Sequence, residues 1–223
     1  MHTWREAMVH RRNIAPPALA RVPLRTIRAA DATGIYAFPG PELARLADRG
    51  LLKRVANGYY VVVPQDMVGR QWVPSLEAIA AGIATAIYGA ESAVLMGISA
   101  ARLFGAIPRA LATAIVAVPK QHRLIRLADR AAAVTFVKRD TRALDAELIE
   151  TPLGPALVTT PEQTVLDLAH RPQLGNAEDE VPAAIAALYR RCDPQRLQAL
   201  AIEQRLVASL HRAKTWAGVT GGR

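Results

Sequence analysis

The dipeptide Asn57-Gly58 constrains this chain more than any other feature. Both residues tolerate positive φ, so the pair suits a two-residue hairpin turn. Leu52 to Ala56 lead into it and Tyr59 to Val63 return, and Pro64, which has no backbone N–H, ends the ladder. Directly upstream, Leu43, Leu46 and Ala47 fall at the spacing of one apolar helical face. Arg45 and Arg49, four apart, share the opposite face. Pro41 suits a first helical position and Gly50 a stop just past the end. A short helix running straight into a basic hairpin is the reading end of a winged helix-turn-helix. The helix can enter the DNA major groove while the ribbon lies along the neighbouring backbone. On this reading Arg45 and Arg49 face the groove, and the wing presents Lys53, Arg54 and Asn57. The plainer alternative pairs Arg45 with Glu42 or Asp48 on a solvated face. The adjoining basic hairpin weighs against it.

Charge supports the nucleic-acid reading. The chain has 223 residues with a formal net charge of +9 and a pI near 10.4, which points to an anionic partner. Residues 1–70 hold 11 Lys/Arg against 5 Asp/Glu, and residues 71–223 hold 17 against 14. The basic excess is therefore concentrated where the helix and hairpin lie. A composition of 51% hydrophobic and 21% charged residues predicts a globular chain, long enough for one sizeable core or two modest ones. Cys192 is the only cysteine, so an internal disulfide and a cysteine-built zinc site are both excluded. The charged N-terminus lacks the apolar centre of a secretory signal, and the apolar stretch around Ala78 to Ala90 is too short to span a bilayer. A cytoplasmic protein is expected.

Upstream of the hairpin, Thr3 and Glu6 have capping-box spacing and predict a first helix over Trp4 to His10. A second helix is expected over Pro23 to Ala32, with Arg25 and Arg28 on one outward flank as phosphate contacts. Downstream, residues 64 to 74 are bracketed by prolines and read as a linker, with Trp72 pinning it by packing. Ser75 to Tyr88 and Ser92 to Phe104 read as alanine-rich helices opened by serine caps. Thr113 to Pro119 and Ala133 to Lys138 read as strands, and Glu147 to Thr159 as a hairpin. Thr160-Pro161-Glu162-Gln163 starts a helix that runs to about His170. Further helices start near Asp179 and at Asp193-Pro194. The fold class is thus α/β (α+β): a winged helix at 1–67, a linker at 68–74, a mixed-sheet domain with packed helices at 75–217, and a frayed tail at 218–223.

No catalytic constellation emerges. The five histidines are scattered, with no pair at metal-ligand spacing. Gly97-Ile98-Ser99 lacks the second glycine of a nucleophile elbow, and Ser99 reads as a helix-packing serine. Asp145, Glu147 and Glu150 could hold a nuclease metal, but no lysine is spaced to pair with them. No metal site and no cofactor are expected. A second basic set, with Lys120, Arg123, Lys138, Arg139 and Arg142 as a weaker partner surface, follows the two strands. A solvated loop region is its bland counterpart.

Several segments together resemble the AbiEi-type antitoxins of abortive-infection toxin–antitoxin systems. They are GLLKRVANGYYVV, SAVLMGISAARLFGAIP, TAIVAVP and ELIETPLGPALVTTPEQTVLDLA, of which the last is the most specific. The likeness spans roughly Leu24 to Ala169. It implies a non-enzymatic protein with two tasks. The winged helix would bind inverted repeats in its own promoter as an autorepressor, and the C-terminal domain would neutralise a nucleotidyltransferase-like toxin encoded next door. The competing reading is a plain winged-helix regulator whose C-terminal domain binds a small ligand.

Overall fold

The computed structural model describes residues 15–219. The expected first helix, Trp4 to His10, lies outside them, as does most of the tail.

The hairpin forms as its turn dipeptide requires. Strand β2 (Leu52–Ala56) returns as β3 (Tyr59–Val62), with Gly58 at φ 78°. Helix α2 (Pro39–Asp48) precedes it and starts two residues earlier than the sequence suggests, with Pro39 in the first turn. Gly50, at φ 71°, ends that helix.

The expected second helix does not form. After a short helix α1 (Pro17–Ala20), residues Pro23–Arg25 make a 3-10 turn in which Leu24 and Arg25 take positive φ. Thr26–Arg28 then forms strand β1, antiparallel to β3 with Thr26 opposite Val61 and Arg28 opposite Tyr59. β-branched Thr26 and Ile27 fit a pleated ladder better than a helix. A 3-10 segment, Ala29–Gly34, leads on toward α2. The small sheet therefore runs β1-β3-β2, with helix α2 between β1 and β2 in the chain.

The second sheet has six strands in the order β6-β7-β5-β4-β9-β8. These are β4 (Val94–Leu95), β5 (Thr113–Val118), β6 (Ile125–Arg126), β7 (Ala133–Lys138), β8 (Ala146–Thr151) and β9 (Gly154–Thr159). Pairs β5–β7 and β4–β9 are parallel and the rest antiparallel, so the sheet is mixed. The single helix expected over Ser92 to Phe104 is instead β4 followed by α4 (Ile98–Leu103), divided by Gly97 at φ 54°. Val94 and Leu95 fill the sheet centre between β5 and β9, where fully apolar runs serve strand and helix alike.

Helix α3 (Leu76–Tyr88), capped by the Ser75 hydroxyl, covers one face of this sheet. Helices α4, α5 (Pro161–His170), α6 (Val181–Tyr189), α7 (Pro194–Glu203) and α8 (Val207–Trp216) build the core on the other. Strand β5 shows the division: Ala114, Val116 and Val118 face α3, while Ile115 and Ala117 face the other helices.

The small sheet is likewise buried on both faces. Ile27, Leu52, Tyr60 and Val62 pack with Leu43 and Leu46 of α2. Val55, Ala56, Tyr59 and Val61 join the core that α3 shares with the large sheet. The approach is close: a Cβ on Gly82 of α3 would sit 2.1 Å from Thr26 Oγ1.

Candidate nucleic-acid interface

Helix α2 turns Leu43 and Leu46 into the small core and leaves Ala44, Arg45, Asp48 and Arg49 exposed. The Arg45 guanidinium donates to Glu42 Oε2 from Nε at 3.2 Å and from Nη2 at 2.8 Å. An exposed pair of this kind is worth little and opens readily to a stronger acceptor. Arg49 caps the helix end, exposed to solvent. With Glu42 and Asp48 beside the two arginines, this stretch carries no net charge.

At the hairpin tip, Arg54 Nη2 donates to Asn57 Oδ1 at 2.9 Å, which holds the two predicted wing residues together. Lys53 is placed differently from the expectation. Its ammonium lies 3.6 Å from Asp129 Oδ2 and donates to the Trp72 carbonyl at 3.3 Å, so it ties the hairpin to the large domain instead of extending from the wing. Arg28 is half-buried and bonded twice to Asp31 at 2.9 and 2.7 Å, and Arg25 sits in the strained turn before β1. They do not share a helical flank.

The second basic set is divided by the fold. Lys120, Arg123, Lys138 and Arg142 are exposed. Arg123 and Arg126 line a groove of about 370 Å³ together with Asn57 and Tyr59, so this loop borders the wing tip. Arg139 turns inward, donating to Asp167 Oδ1 at 3.2 Å, and is unavailable as a surface contact.

The acidic trio does not assemble. Asp145 accepts from Arg196 at 2.6 Å and from the Thr160 hydroxyl at 2.7 Å. Glu147 and Glu150, three apart on β8, lie on opposite faces of the strand. Among the described residues no cluster of His, Cys, Asp or Glu is arranged to hold a metal ion. Ser99 is buried and its Oγ accepts the Ile115 N–H at 2.8 Å, which is the packing role expected of it.

A buried polar network escaped the sequence reading. Gln163 Nε2 donates to Asp167 Oδ1 at 3.1 Å and to Gln204 Oε1 at 3.0 Å, joining α5 to α7. Burial pushes the Asp167 carboxyl up to about 6, against the opposing pull of Arg139. The only local signal is the four-residue spacing of Gln163 and Asp167 on one helix.

The AbiEi antitoxin C-terminal domain matches residues 92–216. The chain belongs to the AbiEi antitoxin family. The match extends past Ala169, where the resemblance legible in the sequence stops, and takes in helices α6 to α8. Its role is therefore that of an antitoxin in a toxin–antitoxin system, a regulatory role with a toxin as its counterpart. The antitoxin also matches the crystal structure of the RV2827C protein from Mycobacterium tuberculosis. The TM-score is 0.55 at 16% identity, over 100% of this chain and 83% of that one. At that identity the likeness concerns the fold, and it is consistent with an α+β architecture. A search of curated proteins gives no match. No helix among the described residues is long and apolar enough to cross a membrane.

Proposed function

We propose that this antitoxin is a cytoplasmic autorepressor that binds inverted repeats in its own promoter and neutralises a nucleotidyltransferase-like toxin encoded next door. The DNA-binding unit is residues 1–67, with 68–74 joining it to the toxin-directed domain at 75–217. The observation that carries the DNA reading is the order of helix α2, hairpin and β1 in one three-stranded sheet. That arrangement leaves Arg45, Arg49, Arg54 and Asn57 on exposed surface. Arg45 and Arg49 are the groove contacts. Arg54 and Asn57 lie along the backbone, with Arg25 and Arg28 as flanking positive charge, while Lys53, held by Asp129, positions the hairpin. Lys120, Arg123, Lys138 and Arg142 remain the weaker partner surface.

Two measurements on the full chain test the two tasks separately. Footprinting on the upstream region should show paired protected sites, with affinity falling steeply as salt rises. No protection at low salt would remove the repressor role. Co-expression with the adjacent reading frame should restore growth that the frame alone arrests. A harmless neighbour, or arrest that the full chain does not relieve, would remove the toxin assignment.

A further inference from the structure

Phe38 is 75% exposed, the most exposed of the large hydrophobic side chains among the described residues, and it stands at the leading end of helix α2. The chain's other two phenylalanines, Phe104 and Phe136, pack in or against the cores. Tyr36, two residues earlier, turns inward onto the small core. Phe38 is thus directed outward by the same turn that buries its neighbour, and the fold gives it nothing to cover.

What surrounds it narrows the occupant. The first turn reads Pro39-Gly40-Pro41, in which Gly40 alone has an N–H to offer. The leading end of α2 is therefore poor in the hydrogen-bond donors that would grip a phosphate or a base edge. Phe38 and Arg45 are seven apart, two turns on one stripe, with Arg49 one turn further. The stripe runs from an apolar tip past the Glu42–Arg45 pair to Arg49. Once Arg45 leaves Glu42, the stripe offers an apolar group beside guanidiniums, complementary to a surface that sets apolar groups beside anions. The thymine 5-methyl group in the major groove, flanked by phosphates, is such a surface. In helix-turn-helix proteins the leading residues of the recognition helix are the ones that meet base edges.

We propose that Phe38 reads thymine methyl groups in the operator, so that this end of the helix selects sequence by apolar contact. The inference rests on the DNA-binding reading above. It adds a specificity residue that carries no charge.

The test is a double-mutant cycle on the full chain, using the promoter duplex and the same duplex with deoxyuridine in place of thymidine, which removes only the methyl groups. Wild type should lose about four- to tenfold in affinity on the uracil duplex. Phe38→Ala should lose a similar factor on the thymine duplex and almost nothing further on the uracil duplex. Its salt dependence should stay that of wild type, because no phosphate contact is removed. Equal wild-type affinity for the two duplexes overturns the proposal. So does an undiminished uracil effect in Phe38→Ala, since the methyls are then read elsewhere. If the variant instead changes self-association in sedimentation with no change in the cycle, the tip is an interface between copies and the proposal fails. Absence of binding to either duplex would reject the winged-helix reading itself, a distinguishable result.

Discussion

At position 167 a carboxylate lies inside the large domain with Oδ1 taken by Arg139 and Gln163 and Oδ2 without a partner among the described residues. Desolvation outweighs the guanidinium, and the carboxyl titrates near 6 in place of its ordinary 3.8. The sign follows from linkage. The folded state holds the proton more tightly than the unfolded one, so the group's contribution to stability is most favourable at acid pH. It falls as pH rises from near 4 to near 6, then levels off. Asp167→Asn removes this ionisation while keeping an oxygen that can accept from Arg139. The variant should gain stability relative to wild type as pH rises, on the order of 2 kcal/mol between about pH 4.5 and about pH 7.5. Urea midpoints of both proteins at about pH 4.5 and about pH 7.5 measure that gap. A gap that stays constant would mean Asp167 titrates normally.

Among the elements, α2 and its hairpin carry the DNA reading, and each basic residue there has a distinct expected signature. Arg45 must leave Glu42 to reach a base. Arg45→Ala should weaken binding to the cognate site by about 1–3 kcal/mol and relax preference at one position. Arg54→Ala should weaken cognate and non-cognate duplexes alike and lower the salt slope by about 1. Titrations at several salt concentrations separate the two effects. Unchanged affinity and preference in Arg45→Ala would assign that residue to the Glu42 pair alone. These elements were readable because their signals are local: a turn dipeptide, a four-residue arginine spacing and flanking proline and glycine. Helix α5 was readable for the same reason, its Thr160 hydroxyl accepting the Gln163 N–H as the capping pattern requires. Strand β1 was not, because its partner Val61 lies 35 positions from Thr26, and ladder pairing across that distance leaves no local mark. Lys53 follows the same logic, as its position on the hairpin is local but Asp129 is remote in sequence.

For the whole molecule, the proline-bracketed segment 64–74 reads as a linker, while one face of the hairpin shares a core with α3 and the large sheet. Trp72 packs against that core, and Val55, Ala56, Tyr59 and Val61 of the hairpin lie in it beside α3. The Ala128 N–H donates to the Val55 carbonyl at 2.9 Å, and the Arg130 guanidinium reaches the Pro74 carbonyl at 3.1 Å. Removing residues 1–70 would expose the apolar surface of α3 that these side chains cover, at a cost of roughly 25 cal/mol for each Å² uncovered. The small three-stranded sheet and the large domain should therefore unfold together. Gly82→Ala is the focused probe, since its Cβ meets Thr26 Oγ1, which is itself held by a 2.7 Å bond to the Leu24 carbonyl. Overpacking there should cost about 1–3 kcal/mol. In a single cooperative unit that loss appears everywhere. The Ala128 amide, bonded to Val55 across the junction, should lose protection by the same free energy as amides in central strand β5. If Ala128 and the hairpin amides lost protection while β5 kept its own, the junction would open separately. The proposed DNA-binding unit and the antitoxin domain would then be mechanically independent parts.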